Sequence, residues 1–290
     1  MKSLIGITMG DPKGIGPEVV AKAWRGLTED ERRQVVVYGD HAVLATAAEL
    51  CGIPFDQKQT VITSSTAQPA RKVDDAEAAR MSLSAIDAAI ADAESGRIAA
   101  IVTAPVNKRR MQAGRPGFTG HTEYFARAAR VKDAVMMFAS PDYLEREDTG
   151  LLPRQFRIAL ATMHLPLAEV SKALTIDVVL TTIRQTALAL DKYFACPDAR
   201  IAVMALNPHA GEGGVMGSEE RSAISPAISR ALKEGINCVG PVPADSLFQN
   251  LADFDYDAVV AMYHDQGLLP VKLLFQRRSV NVTLGLPYVR

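Results

Sequence analysis

Cysteine is scarce in this chain: Cys51, Cys196 and Cys238 are three in number, widely spaced and without a CxxC pair. That excludes a disulfide framework and a thiolate zinc site, and it fits a reducing cytoplasm. Net charge is nearly absent as well. Thirty-two Lys and Arg stand against 33 Asp and Glu, so there is no global attraction to nucleic acid or to an anionic membrane, and any anion must be held by a local site. No apolar run approaches the ~20 residues of a membrane span. The apolar opening from Leu4 to Gly10 meets Asp11 and Pro12 too soon for a secretory signal. The expectation is a cytoplasmic protein with neither membrane nor nucleic-acid partners. Repeats and low-complexity blocks are missing too, and the glycine spacing of residues 10–18 matches neither GxGxxG nor GxxxxGKS/T, so that stretch is not a Rossmann or P-loop fingerprint.

What the chain does have is an ordinary globular composition, 48% hydrophobic and 22% charged over 290 residues, enough for about two average domains without staples. Short β-type runs alternate with helical patterns from end to end, the signature of an α/β fold with largely parallel sheets and flanking helices. Strands are expected at residues 3–9, 34–38, 99–103, 134–139, 157–162, 201–206 and 258–263. Helices are expected from Pro17, at 75–94 with Gly96 as a C-cap, and at 167–174, 177–190 and 218–234. Residues 62–71 read as a polar surface connection rather than a domain boundary, and the charged stretch 140–155 as a protruding loop.

Of five histidines, three stand just beyond apolar strand-like runs: His164, His209 and His264. In parallel α/β sheets the carboxyl ends of strands line the ligand crevice, so three strand-exit imidazoles can converge although they are remote in sequence. Neutral imidazole ligates Zn, Co, Ni or Fe, and three such ligands leave positions open for substrate, as a catalytic site requires. Each His taken alone is better read as a backbone-bonded strand end; the repetition reverses those odds. His41, after Gly39 and Asp40, reads as a helix-start surface residue and stays outside the site.

Two glycine-rich segments carry both a functional and a structural reading. Residues 10–18 join a strand to a helix and serve either as an anion cradle or as a tight turn. Residues 207–214 serve either as a ligand loop or as a flexible lid, with His209 favouring the former. Three further segments concentrate polar groups: Thr103-Ala-Pro-Val-Asn-Lys108, Gly120-His-Thr-Glu123, and His264-Asp-Gln-Gly267 followed by Lys272. Lys108 and Lys272, singly, read as solvated surface charges; their neighbours raise them. Asp265, beside His264, either orients a ligand imidazole or acts as a base.

At these same residues the sequence resembles the 4-hydroxythreonine-4-phosphate dehydrogenase family of pyridoxal phosphate biosynthesis. The resemblance runs from the 10–18 segment through Phe118-Thr-Gly-His-Thr-Glu123, Ala159-Leu-Ala-Thr-Met-His-Leu-Pro-Leu167, Leu206-Asn-Pro-His-Ala-Gly-Glu-Gly-Gly214 and Ala261-Met-Tyr-His-Asp-Gln-Gly267 to Asn281-Val-Thr-Leu-Gly-Leu-Pro287. It implies a two-domain α/β fold like that of isocitrate and isopropylmalate dehydrogenases, with a cleft between domains. One domain would be built from both chain ends, residues 1–110 plus 245–290, and the other from 111–244. It further implies that His164, His209 and His264 bind one divalent metal (Zn, Co or Mg) at a homodimer interface, where each site draws on both subunits. His121, Thr122, Lys272, Asn281 and Arg290 fall on the family's substrate contacts.

The resemblance implies metal-assisted oxidation of the C3 hydroxyl of 4-phosphohydroxy-L-threonine by NAD or NADP, then decarboxylation to 3-amino-2-oxopropyl phosphate. Asp265 and Lys108 are the candidates for proton handling. Alternatives are a related dehydrogenase acting on D-threonate or D-erythronate 4-phosphate or on a carboxylated cyclic diol and, more remotely, an acyl or phosphoryl transferase or a non-catalytic metabolite-binding protein on the same fold. Three departures from the family pattern stand out. Lys13 replaces a smaller residue, the stretch 140–155 is longer than expected, and family members continue past the position of Arg290 through a segment that helps bind nicotinamide. The cofactor residues are therefore unassigned, and the expectation is that the sequence given omits such a tail, the alternative being a protein that binds the cofactor poorly.

Overall fold

Apolar runs flanked by helix caps fold, in the computed structural model of the chain, into two α/β units. Residues 4–54, 60–64, 72–140, 156–249, 254–275 and 278–290 are described; most of the stretches read as a surface connection (62–71) and a protruding loop (140–155) lies outside them. The first unit comprises Met1–Arg130 with Leu286–Arg290, and the second Val131–Gly285.

In the first unit, β1 (Leu4–Thr8) leads through a glycine turn into α1 (Gly16–Gly26), with Pro17 in its first turn. The short α2 (Glu29–Arg32) is closed by a Thr28–Glu31 capping box. Asp40, ending β2 (Val35–Asp40), accepts from Val43 N at 3.1 Å and so caps α3 (His41–Leu50). After β3 (Thr60–Ser64) comes the Ala-rich α4 (Asp75–Glu94), bounded by an Asp74 cap and by Gly96 at φ +76°. Then follow β4 (Ile98–Thr103), α5 (Lys108–Gly114) and α6 (His121–Ala128). All strand pairings are parallel, in the order β3-β2-β1-β4. The last residues lie beside β4, with Ile101 N donating to Val289 O at 2.9 Å.

The second unit contains β5 (Val135–Ala139), β6 (Arg157–Leu160), α7 (Leu167–Ala173), α8 (Ile176–Phe194) and β7 (Ile201–Met204). These are followed by α9 (Ser225–Lys233), β8 (Cys238–Val242), α10 (Ala244–Leu247), β9 (Ala258–Ala261), α11 (His264–Phe275) and β10 (Val280–Leu284). The sheet order is β10-β5-β6-β9-β7-β8, parallel from β6 to β8 and antiparallel at β10-β5-β6. Successive side chains of a strand face opposite sides, and both faces are buried here. Ile201, Val203 and Val260 pack with Val179, Ile183 and Ile228. Ile158, Leu160 and Val259 pack on the other face with Leu268, Val271 and Phe275.

The α/β reading and the helix over 75–94 stand. Several details differ. The strands over 157–162, 201–206 and 258–263 end two residues early, at Leu160, Met204 and Ala261, although backbone bonds continue between the exits. The helix over 218–234 opens as a π-turn at Glu220–Ile224 before becoming α-helical at Ser225. The unit boundaries fall at 130 and 285 rather than 110 and 245, since β9, α11 and β10 pair or pack in the second sheet and only Leu286–Arg290 joins the first unit. No single helix among the described residues is long and apolar enough to cross a membrane.

Candidate active site

Strands β6, β9 and β7 are consecutive and parallel in the second sheet, so the three segments bearing His164, His264 and His209 leave by the same edge. Beyond the strands the ladder continues as bonds between exits. Ala161 N donates to Ala261 O at 2.8 Å, and Thr162 donates to Met262 O through both its N–H (3.1 Å) and its hydroxyl (2.7 Å). Gln266 ties the other pair. Its Oε1 accepts from Met262 N at 2.7 Å and its Nε2 donates to Ala205 O at 2.7 Å. Gln266 had no role in the sequence reading beyond its place in the His-Asp-Gln-Gly motif; only the pairing of β9 beside β7 gives it one.

His164 and His264 stand with ring centroids 5.4 Å apart and planes inclined at 44°. Asp265 Oδ1 lies 2.7 Å from His264 Nδ1. A proton on Nδ1, donated to that carboxylate, leaves the Nε2 lone pair available as a metal donor, the arrangement in which a carboxylate fixes a ligand's tautomer. His209 is exposed and sits in a different setting. From His209 to Gly213 every residue has positive φ, including the non-glycines His209 (51°), Ala210 (53°) and Glu212 (44°), each at a cost of about 1–2 kcal/mol.

The neighbouring carboxylates bond the backbone that flanks this run. Buried Glu220 accepts from Leu206 N (3.0 Å), Asn207 N (2.7 Å) and Asn207 Nδ2 (2.9 Å). Glu219 accepts from the Ser171 hydroxyl, Asn207 Nδ2 and Ser218 N. Its carboxyl is lowered to about 2, first by the Ser171 bond and then by the Asn207 bond. Among the described residues, no three His, Cys, Asp or Glu side chains of one chain stand close enough to hold a metal ion. The single chain thus joins two of the three expected ligands and leaves His209 apart. An imidazole set suits Zn or Co better than Mg, which prefers oxygen ligands. Lys272 lies exposed about 12 Å along α11 from His264, and Asn281 is exposed on β10.

In the first unit, His121 opens α6 after Gly120. Its Nε2 is buried with no hydrogen-bond partner among the described residues. Burial, with Arg290 beside it, lowers its pKa to about 4, so the ring is neutral at neutral pH. Thr122 is buried next to it. The Arg290 guanidinium lies 5.1 Å from the Phe125 ring centroid and donates to Thr103 Oγ1 at 3.0 Å. Burial lowers its pKa to about 10, so it stays a cation. Lys108 is exposed at the start of α5 and runs beside Gly120, where an added Cβ would lie 3.8 Å from its Cε. Lys108, His121, Thr122 and Arg290 therefore form one polar cluster. Tyr288 belongs to the same region and was not foreseen: its buried hydroxyl has no hydrogen-bond partner among the described residues, and burial pushes its pKa up to about 12.

The 10–18 segment behaves as a tight turn. Gly10 has φ +74°, and a Cβ on Gly16 would lie 2.4 Å from Met9 O. Asp11 pairs with Arg110, while Lys13 reaches Val73 O at 2.8 Å and Asp75 at 3.2 Å. Lys13 is accommodated as a brace to the start of α4. His41 heads α3, as read from the sequence, but it is half-buried with its Nδ1 inside rather than a surface residue.

Comparison with known proteins bears on what these groups do. The family model "Pyridoxal phosphate biosynthetic protein PdxA" matches residues 31–290. The 4-hydroxythreonine-4-phosphate dehydrogenase of Burkholderia vietnamiensis is 42% identical over 299 residues, covering 99% of this chain and 86% of its own. The solved structure of 4-hydroxythreonine-4-phosphate dehydrogenase from Klebsiella pneumoniae aligns with a TM-score of 0.81 at 32% identity, over 99% of this chain and 89% of that one. A terephthalate 1,2-cis-dihydrodiol dehydrogenase from Burkholderia xenovorans aligns with a TM-score of 0.69 at 26% identity, over 99% and 87%.

Proposed function

The chain belongs to the PdxA family of pyridoxal phosphate biosynthetic proteins and is an oxidoreductase with the 4-hydroxythreonine-4-phosphate dehydrogenase function, and on that premise we propose that it oxidises the C3 hydroxyl of 4-phosphohydroxy-L-threonine with NAD or NADP and a divalent metal, decarboxylation to 3-amino-2-oxopropyl phosphate following. The observation that carries the metal reading is the His164–His264 pair, 5.4 Å between centroids, with Asp265 backing one ring at the carboxyl edge of a parallel sheet.

His164, His209 and His264 would hold the metal, Zn or Co by their donor chemistry. When bound, such an ion supplies Lewis-acid stabilisation of developing negative charge. Asp265 orients His264. Lys108, exposed beside the Gly-His-Thr-Glu segment, is positioned to exchange a proton with solvent. Arg290 offers a fixed cation and neutral His121 an uncharged hydrogen-bonding edge, to which Thr122 adds a hydroxyl; Lys272 and Asn281 complete the proposed substrate contacts for the anionic ends.

A homodimer would bring His209 to a shared site. What supports this is the apolar surface next to each histidine: Leu165 and Leu167 beside His164, Val215 and Met216 after His209, and Leu269 and Leu273 on the helix that His264 begins. All six are exposed in the single chain, Val215 at 83% and Leu273 at 75%. The cysteines Cys51, Cys196 and Cys238 are all free, in keeping with a cytoplasmic setting.

Turnover tests the substrate. NADH or NADPH formation is expected with the hydroxythreonine phosphate, to cease on chelation and to return with Zn²⁺ or Co²⁺. The likeness to the dihydrodiol dehydrogenase makes a carboxylated cyclic diol the second substrate to try, with D-threonate and D-erythronate 4-phosphate beside it. Turnover confined to any of these would overturn the substrate assignment.

A further inference from the structure

Glu219 and Glu220 lie outside every role assigned above, yet between them they hold both segments that carry His164 and His209. Glu220 is only 4% exposed. Its two oxygens take the backbone N–H groups of Leu206 and Asn207 and the Asn207 side-chain amide, immediately before Pro208 and His209. The loop then wraps the same carboxylate: a Cβ on Gly211 would lie 2.7 Å from Glu220 Oε2. Glu219 takes the same Asn207 amide at 2.8 Å from its other side and Ser218 N at 2.9 Å. Its remaining oxygen accepts from Ser171 on α7, the helix entered directly after the His164 turn.

We propose that Glu219 and Glu220 are positioning residues of the metal site, fixing the backbone from which each chain presents His209 to the site it shares with its partner. The proposal rests on the reading of these histidines as ligands. Burying a carboxylate carries a desolvation cost that packing alone does not require. Here that cost anchors the backbone at Leu206 and Asn207, from which a run of left-handed residues carries the His209 imidazole. A ligand whose supporting backbone is held by outer carboxylates is expected to lose metal affinity when they are changed, although no atom of either touches the ion. Ser171 and Asn207 are the links through which the two segments are coupled.

The test uses the full chain with Zn²⁺ alone, its affinity read by competition with a chromophoric chelator, and Co²⁺, its site symmetry read from the visible absorption spectrum. Glu219→Gln and Glu220→Gln are expected to weaken Zn²⁺ binding by ~10-fold or more and to shift the Co²⁺ bands. Ser171→Ala, a change at an exposed position, is expected to shift the same bands while leaving the melting temperature of the metal-free protein at the parent value. His209→Ala is the reference and should also lose at least ~10-fold. Parent-like Zn²⁺ affinity and Co²⁺ spectra in both Gln variants, with His209→Ala impaired, would show the pair to be merely structural. Parent-like affinity in His209→Ala itself would remove the ligand reading instead. Should Glu220→Gln not fold, Glu219→Gln and Ser171→Ala decide the matter by the same two readouts.

Discussion

At His121, burial and the neighbouring Arg290 act in one direction, bringing the imidazole to about 4 from its ordinary 6.5. The unfolded chain therefore binds more protons than the folded one between these values. Stability rises with pH across that window and is lost as pH falls from about 6.5 towards 4. Glu219, lowered to about 2 from 4.5, loses its contribution in a lower window, from about 4.5 towards 2. His121→Asn should flatten the upper slope and leave the lower one, a difference that urea unfolding at about pH 5 and about pH 7 will show. An undiminished slope would mean that another group titrates there. Residues of this kind are legible only in part. His164, His209 and His264 announce themselves by standing after strands, and His121 by its motif. Glu220 and Tyr288 carry no such mark and Gln266 has only its place in a motif, because each acquires its role from a partner far along the chain or from burial that composition does not reveal.

Among the elements, caps and glycines make the sharpest demands. Thr175 caps α8, its hydroxyl accepting from Val178 N at 3.2 Å. Thr175→Ala is expected to cost about 1 kcal/mol, measurable as a lower urea midpoint with an unchanged slope. Gly16 is stricter, since its Cβ would meet a backbone oxygen at 2.4 Å. Gly16→Ala is expected to cost about 3 kcal/mol or more, at the upper end of single-residue effects, read in the same experiment; a loss below about 1 kcal/mol would mean that the turn yields. Helix α4 was readable to its ends because an Asp cap, an apolar stripe and a terminal glycine agree. Helix α11 was not: it opens on a site motif and contains Pro270, a residue that argues against a helix interior. The antiparallel pairing of β10 with β5 was hidden too, since an edge strand's partner depends on register and not on its own composition.

For the molecule as a whole, the proposed second copy is the main determinant still to be measured. Leu273 is 75% exposed in one chain, so Leu273→Glu should leave each chain folded. If its face is covered by a partner, the change buries a charge and should convert dimer to monomer in sedimentation velocity, with activity lost in parallel. A dimer unaffected by the substitution would move the interface elsewhere.

The sequence by itself determined the α/β class, the alternation of strands and helices, the three strand-exit histidines and the family, because each is written in local pattern or contiguous motif. Tertiary structure alone decided that β9 lies between β6 and β7, which pairs His164 with His264, and that residues 245–285 belong with the second sheet. It also decided that two carboxylates grip the His209 loop. These are long-range outcomes of strand order and burial, and no window of neighbouring residues contains the distances that set them.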